Sequence, residues 1–288
     1  MTSLIQYAER GRNDWWRYLC CTPLALVTAT LLGVGIVVLL FLAHAIPPDL
    51  QEQMTHPTRP AVFFTATGVS FGCLLIGFIA AIRLLHDKRF GDLLGDWRWQ
   101  AVAVGAAVWF AVQALAAFAD FGLAPRSFSL TASGATLTLL LTAVPALAAQ
   151  TFAEELVFRG YLTQGLLLAT RRPLPAALIS GLIFGAVHIP NGTPQAVNAA
   201  VFGIATAYIA ITTGSIAFSF GLHFVNNLFG AVLVVSASDV FRGAPGLFSQ
   251  NAPQLMWQDV AVQGFLIVLV AALVAWRWRP APTVADVF

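Results

Sequence analysis

The side chains of this sequence with the clearest capacity for chemistry are two adjacent carboxylates, Glu154 and Glu155, followed by Arg159. They are conspicuous because the 288 residues include only 15 Lys and Arg and 13 Asp and Glu. On a helix, Glu155 and Arg159 lie four residues apart on one face, where they can form an ion pair. Glu154 points about 100° away on the same helix. The spacing therefore predicts one carboxylate that is paired and one that is free to react.

Further polar side chains lie in two later segments. His223 and Asn227 are four residues apart, so an imidazole and an amide share one helix face. His188 lies in another helical segment, just before Pro190. Polar groups on three helices can converge in one cavity of a helix bundle. Asn226 is instead predicted to make an interhelical hydrogen bond.

This set of side chains could hydrolyse a bond with water. A carboxylate in an apolar site can act as the general base for water, and a histidine can share the proton. The N–H groups of His223 and Asn227 suit a developing oxyanion. Alternatively, Glu154, His188 and His223 are suitable zinc ligands, three protein groups that leave one position for water. The sequence contains no HExxH, GxSxG or Walker motif, so both ways of activating water stay open.

The composition indicates that lipid is the solvent for much of this chain. Hydrophobic residues make up 58% and charged residues 10%, with a mean hydropathy of +0.79, whereas soluble domains carry about 25% charged residues. The net charge of +2 and the lack of a long basic run argue against nucleic-acid binding. Three cysteines cannot form a disulfide framework. We therefore expect an integral membrane protein.

The pattern of apolar segments predicts an all-α, polytopic membrane helix bundle with about eight transmembrane helices, because each crossing needs about 20 apolar residues. Six segments are clear and two are weaker. The clear segments are 23–45, 61–83, 101–119, 131–153, 215–236 and 260–278, and the weaker ones are 176–190 and 196–213. The chain is predicted to be a single membrane domain, 1–288, in which spans at 1–130 flank a core of four helices at 131–236. A loop and the last span follow at 237–288.

The distribution of Lys and Arg predicts that both termini are cytoplasmic. With eight spans, eleven cations lie on the side of the termini and three on the other side, Arg159 being the fifteenth. The segment 131–170 would be about 60 Å long as one helix, so it is predicted to tilt or bend, with 156–170 partly along the cytoplasmic interface. The remaining histidines fall at span ends or in loops and are predicted to be solvated: His44, His56 and His86.

Three motifs resemble those of a known family. "EELVFR" at 154–159 matches EExxxR, "FGAVH" at 184–188 matches FxxxH, and "HFVNN" at 223–227 contains HxxxN. In this order and at these separations they are similar to the motifs of the CPBP family, which groups CAAX prenyl endopeptidases with bacteriocin-processing and immunity proteins. The resemblance covers about residues 131–236.

The resemblance implies intramembrane hydrolysis of a peptide bond in a membrane-associated or lipidated protein. Glu154 would be the base that activates water, with His188 assisting. His223 and Asn227 would form the oxyanion site, or His223 would be a metal ligand in the zinc version of the mechanism. Glu155 and Arg159 would hold the helix in place. The family is described as metalloproteases, but a metal-free glutamate mechanism is compatible with the same residues.

Three functions compete at this stage. The first is the endopeptidase, in a bacterial plasma membrane, with the lipid bilayer and a membrane-anchored substrate as its partners. The second is a non-catalytic scaffold or bacteriocin-immunity protein on the same fold, which would not need Glu154. The third is a proton-coupled carrier, against which the sequence shows no internal repeat with paired broken helices. The sequence predicts no particular oligomeric state.

Overall fold

The computed structural model describes residues 3–55, 58–237, 241–251 and 255–278. Helices dominate this part of the chain. In order they are α1 (Leu4–Ala8), α2 (Trp15–Leu42), α3 (Leu50–Thr55), α4 (Pro60–His86), α5 (Phe90–Leu94), α6 (Trp99–Leu123), α7 (Gly134–Glu155), α8 (Thr163–Thr170), α9 (Pro173–Ala186), α10 (Thr193–Thr213), α11 (Ala217–Leu228) and α12 (Trp257–Arg277). Two π-helical segments, Leu156–Leu162 and Phe229–Leu233, follow α7 and α11 directly. The predicted all-α membrane bundle is confirmed.

Among the described residues, six helices are long and apolar enough to cross a membrane. They are Trp15–Leu42, Pro60–His86, Trp99–Leu123, Gly134–Thr170, Thr193–Thr213 and Trp257–Arg277. The other two predicted segments form shorter apolar helices, Pro173–Ala186 and Ala217–Leu233. The helix predicted at 196–213 begins three residues earlier, at Thr193, and ends at Thr213 as predicted, where Gly214 takes a positive φ. The segment predicted at 215–236 is a shorter helix, because it begins only at Ala217 and the chain leaves the helix at Val234. The cytoplasmic location of both termini stays a prediction.

The longest helical run is continuous from Gly134 to Thr170 and includes the first π-helical segment. A π-helical turn holds more residues than an α-helical turn and so shifts the faces that follow it. Leu156, Tyr161 and Leu167 are buried within the protein. The predicted position of 156–170 along the membrane interface stays a prediction.

The short helix α5 contacts both the helical run that carries Glu155 and the helix α11 that carries His223, and so sets their relative position. Gly160 lies so close to α5 that a Cβ there would be 2.7 Å from the carbonyl oxygen of Leu93. On the other side, the backbone N–H of Ile216 donates to the carbonyl oxygen of Leu94 at 3.1 Å. Glu155 lies five residues before Gly160, about 8 Å along its helix, and His223 lies seven residues after Ile216, about 11 Å along the other helix. The two side chains therefore meet.

A small three-stranded sheet is an element that the sequence did not predict. β1 (Phe128–Leu130) pairs antiparallel with β3 (Phe248–Gln250), and β3 pairs parallel with β2 (Val234–Ser236). Strands of three residues leave too short an alternating pattern to be recognised in a sequence. The sheet connects the chain just before α7 with the chain just after the second π-helical segment.

The three histidines predicted to be solvated differ in their exposure and in whether the structure describes them. His44 is exposed, as predicted, and His56 lies outside the described residues. The prediction for His86 is wrong, because this side chain has no exposed surface and makes two hydrogen bonds. Its position at the end of α4 looks peripheral in the sequence, but the N-terminal residues fold back over it.

Candidate active site

Glu155 is the centre of a buried polar cluster. Its side chain has no exposed surface, and its Oε1 lies 3.1 Å from Nη1 of Arg159. The ion pair that the four-residue spacing predicts is therefore present. The same oxygen lies 2.8 Å from Nδ1 of His223 on α11. Glu155 thus contacts a histidine of the predicted site in addition to holding its own helix.

Arg159 is fixed by contacts from two other helices. Its Nε and Nη2 donate to Oγ1 of Thr206 on α10 at 3.0 and 2.6 Å, and Thr206 in turn donates to the carbonyl oxygen of Phe202 at 2.8 Å. The guanidinium lies over the ring of Phe184, 4.3 Å from its centroid. A buried cation needs such partners, because its desolvation is otherwise uncompensated. Arg159 in turn fixes the position of Glu155.

His223 lies between the two glutamates. Its Nδ1 faces Glu155, while its Nε2 is 3.5 Å from Oε2 of Glu154. At 2.8 Å the contact with Glu155 is a hydrogen bond, which an ionised carboxylate can only accept, so the proton is assigned to Nδ1; the 3.5 Å between Nε2 and Glu154 is longer than a usual hydrogen bond. The imidazole is 4% exposed and is packed against the rings of Phe184 and Phe202. Its orientation is therefore fixed by both packing and hydrogen bonding.

Glu154 is the more accessible of the two carboxylates. Its side chain is 15% exposed, against 0% for Glu155. Gln150, one turn earlier on α7, donates its Nε2 to Oε1 of Glu154 at 3.2 Å, and Oε2 faces His223. Two carboxylates and one guanidinium sum to one negative charge when His223 is neutral. They sum to zero when its imidazole carries a second proton, so the cluster can accommodate one additional proton.

A second contact between α7 and α11 lies one helical turn away. Asn227 donates its Nδ2 to Oγ1 of Thr151 at 3.4 Å, parallel to the contact between Glu155 and His223. The two helices thus run antiparallel, with paired contacts at four-residue intervals. Asn226 accepts a hydrogen bond from Nε1 of Trp109 on α6 at 3.0 Å. The predicted interhelical hydrogen bond of Asn226 is confirmed.

His188 reaches the cluster only indirectly. Its imidazole is half-buried, and its Nδ1 lies 2.7 Å from the carbonyl oxygen of Phe184. In the described part of the chain it makes no hydrogen bond with Glu154 or His223. The ring of Phe184 contacts both histidines, at 4.6 Å from His188 and 5.9 Å from His223. Phe184, the first residue of the FxxxH motif, is therefore the common neighbour of the site.

The proposed zinc ligands do not form a metal-binding group in this arrangement. No set of three His, Cys, Asp or Glu side chains within the residues that the structure describes is placed to hold a metal ion. One nitrogen of His223 is engaged by Glu155, and His188 is held by the backbone of α9. We therefore derive no step through zinc, and the binding of zinc by Glu154, His188 and His223 stays a prediction.

Both site-bearing helices become π-helical next to the site. The first π-helical segment begins at Leu156, directly after Glu155, and the second begins at Phe229, two residues after Asn227. Such segments occur frequently at functional sites, where they re-aim side chains without breaking a helix. No sequence signal identified them, since both stretches consist of ordinary helix-forming and apolar residues.

Comparison with known proteins gives a family for this chain. The model of the family described as type II CAAX prenyl endopeptidase Rce1-like matches residues 134–229. This range begins with α7, ends in the second π-helical segment and contains all the site residues that the sequence predicted. The uncharacterized protein YyaK of Bacillus subtilis (strain 168) is 30% identical over 273 residues, which cover 90% of each chain. The chain belongs to the Rce1-like family.

Membership of the Rce1-like family confirms the resemblance to the CPBP family that the three motifs indicate. It implies protease activity of the CAAX type in an integral, multi-pass membrane protein. No solved structure matches this Rce1-like chain. The other contacts of the site, from Thr206, Phe184, Gln150, Thr151 and Trp109, were not predicted. The sequence offered a signal for Phe184, through its motif, and for Thr206 and Thr151, as hydroxyls in apolar spans.

Proposed function

We propose that this Rce1-like protein is an intramembrane endopeptidase in which Glu154 and His223 activate water. The observation that carries the proposal is the position of His223 between two carboxylates. Glu155 orients the imidazole from the buried side, and Glu154 faces the opposite nitrogen from the more exposed side. A base held by an orienting group, next to a second acid–base group, is the arrangement that general acid–base catalysis requires.

In the proposed reaction, a water molecule beside Glu154 loses a proton to its Oε2 as the water oxygen attacks the carbonyl carbon of the peptide. The proton is then delivered to the amide nitrogen as the C–N bond breaks, which leaves a carboxylic acid and an amine. His223 can share this proton because the cluster reaches zero net charge when its imidazole is doubly protonated. Glu154 returns to its starting state.

The remaining site residues are proposed to support these steps. His188, half-buried at the end of α9, is proposed to assist at the more exposed edge of the site. Asn227 is proposed to help stabilise the oxyanion with an amide N–H. Its NH₂ group has two N–H donors, and Thr151 accepts a hydrogen bond from only one of them. Glu155 and Arg159 hold His223 in place and do not contact the substrate.

The substrate is proposed to be a membrane-associated or lipidated protein or peptide. Two observations support this class: the site lies on helices that belong to an apolar, membrane-crossing bundle, and the matching family is named for the processing of prenylated proteins. A bacterial plasma membrane is proposed as the location, with the Bacillus relative as support.

The test is hydrolysis of quenched fluorescent peptides, with and without a lipid chain, by the purified full chain in liposomes. Glu154→Gln keeps the shape of the side chain but cannot take a proton, and we expect it to lower kcat at least about 100-fold. Glu52→Gln is the matched control, because Glu52 is exposed on α3. Equal cleavage by wild type and Glu154→Gln would exclude Glu154 as the base. Failure of the wild type to cleave any peptide would favour the non-catalytic scaffold.

Metal analysis of the same sample tests the zinc version. A zinc content near zero per chain, together with full activity, would support the metal-free mechanism. About one zinc per chain, with loss of activity on chelation and recovery on zinc addition, would overturn it.

A further inference from the structure

The N-terminal residues 3–14, here named the N-terminal strap, are packed into the protein. Leu4 and Ala8 of α1 are 1% and 0% exposed. The carbonyl oxygen of Ala8 accepts a hydrogen bond from Nζ of Lys88 at 2.6 Å, although Lys88 is itself only 2% exposed. Arg10 forms an ion pair with Asp92 of α5 at 2.8 Å. The strap is therefore fixed at several points to the chain between α4 and α6.

The strap is joined most closely to His86 at the end of α4. The backbone N–H of Arg12 donates to the carbonyl oxygen of His86 at 2.7 Å, and Nδ1 of His86 lies 2.7 Å from the carbonyl oxygen of Arg12. Gly11 has a φ of +72°, and a Cβ there would lie 2.4 Å from the carbonyl oxygen of His86. Only glycine permits this approach, since it tolerates the positive φ and has no Cβ.

His86 connects the strap with the first π-helical segment. Its Nδ1 faces a carbonyl oxygen and so carries the proton, which leaves Nε2 to accept a hydrogen bond from the hydroxyl of Tyr161 at 2.8 Å. Tyr161 is 4% exposed, and its ring is packed against Tyr18 and Phe78, each at 5.2 Å between centroids. Tyr161 lies two residues after Arg159, inside the π-helical segment.

A π-helical segment is held less well by its own hydrogen bonds than an α-helix and depends more on outside contacts. Here those contacts come from the elements that the strap holds. Tyr161 bonds to His86, and Gly160 fits against Leu93 of α5. One turn later, Gln164 donates to the carbonyl oxygen of Asp92 at 2.9 Å. The conformation of the π-helical segment that begins directly after Glu155 is thus determined by contacts with His86 and α5.

We infer that His86 and Tyr161 are positioning residues through which the N-terminal strap holds Glu155 and Arg159 in the geometry that orients His223. The inference rests on the proposed function for its catalytic consequence. Neither residue contacts the substrate. They fix the π-helical segment, which fixes the two charged groups behind the imidazole.

Tyr161→Phe tests the connection with the least disturbance, because it removes the hydroxyl and keeps the ring packing. With the peptide assay, we expect kcat to fall about fivefold to tenfold with KM unchanged, the effect of one lost buried hydrogen bond on the reacting geometry. Hydrogen–deuterium exchange should become faster in residues 156–162 and stay unchanged in α2 and α12. Tyr208→Phe is the control, because the hydroxyl of Tyr208 makes no hydrogen bond within the described residues.

Gly11→Ala tests whether the strap acts through the same connection. We expect kcat to fall about tenfold in the wild type but less than about twofold in the Tyr161→Phe background, since residues that act as one unit are not additive. Gly243→Ala is the matched control, with a φ of +86° and, among the residues that the structure describes, no atom nearer than 3.8 Å to the added Cβ.

Additive losses, unchanged exchange in 156–162, or faster exchange along the whole chain would each overturn the inference. The last result would mean that the strap contributes only general stability. If the wild type cleaves no peptide, the proposed function fails, and the exchange measurement still decides whether the strap holds the π-helical segment.

Discussion

Replacement of Glu155 by Gln perturbs the site at its most buried charge. Glu155 and Arg159 are both fully buried, and Glu155 also faces Nδ1 of His223. The amide of Gln keeps the size of the carboxylate, but Arg159 and His223 both present N–H groups to this position. Both N–H groups face the same oxygen, Oε1, which the amide oxygen of Gln can replace, but the guanidinium is left without its contacting counter-ion.

The expected cost is large because the remaining charge cannot reach water. Removal of one partner of a buried ion pair lowers the free energy of unfolding by about 3–5 kcal/mol. The assay is reversible unfolding of the purified chain in mixed micelles with increasing SDS. A double variant, Glu155→Met with Arg159→Met, removes both charges at similar volume. It should be at least about 2 kcal/mol more stable than Glu155→Gln, although it should be inactive as a peptidase.

An exposed pair with the same spacing is the control. Arg83 and Asp87 are four residues apart with 3.2 Å between Nη1 and Oδ1, but their side chains are 60% and 61% exposed. Asp87→Asn should change the free energy of unfolding by less than about 1 kcal/mol. The reasoning is refuted if Glu155→Gln costs no more than this control, or if the double variant is as unstable as the single one.

Two further predictions concern neighbouring parts of the protein. Thr206→Val removes the hydroxyl that accepts two hydrogen bonds from Arg159 and should lower the free energy of unfolding by about 1.5–3 kcal/mol in the same assay; a loss below about 0.5 kcal/mol would contradict the role assigned to this contact. Burial lowers the pKa of Lys88 to about 8 from 10.5, so between these pH values the unfolded chain binds more protons than the folded one. Stability relative to Lys88→Met should therefore rise with pH in this window, by at most about 3 kcal/mol, and a constant or falling stability would show that the folded state retains the charge.

The helical membrane fold was predictable because the number and composition of apolar segments reflect the solvent of the chain. The lengths of single helices were less predictable. Helix α10 begins at Thr193, three residues before the predicted segment, and the helix predicted at 215–236 covers only 217–233, because the chain leaves it at Val234. The three-residue strands were not predictable, because their pattern is too short to be recognised and β1 pairs with a strand more than 100 residues later in the chain.

For the site, the sequence by itself determined the ion pair between Glu155 and Arg159, because a four-residue spacing on one helix makes two side chains neighbours whatever surrounds them. Its three motifs also indicated the family and the residues that are proposed to carry the chemistry. Only the tertiary structure decided that His223 lies between both glutamates and that His188 reaches the site through Phe184. Only the tertiary structure also decided that His86 forms a hydrogen bond with Tyr161 in the first π-helical segment. Contacts between helices depend on how the helices pack, on their register at α5 and on π-helical turns, none of which has a local signature in the sequence.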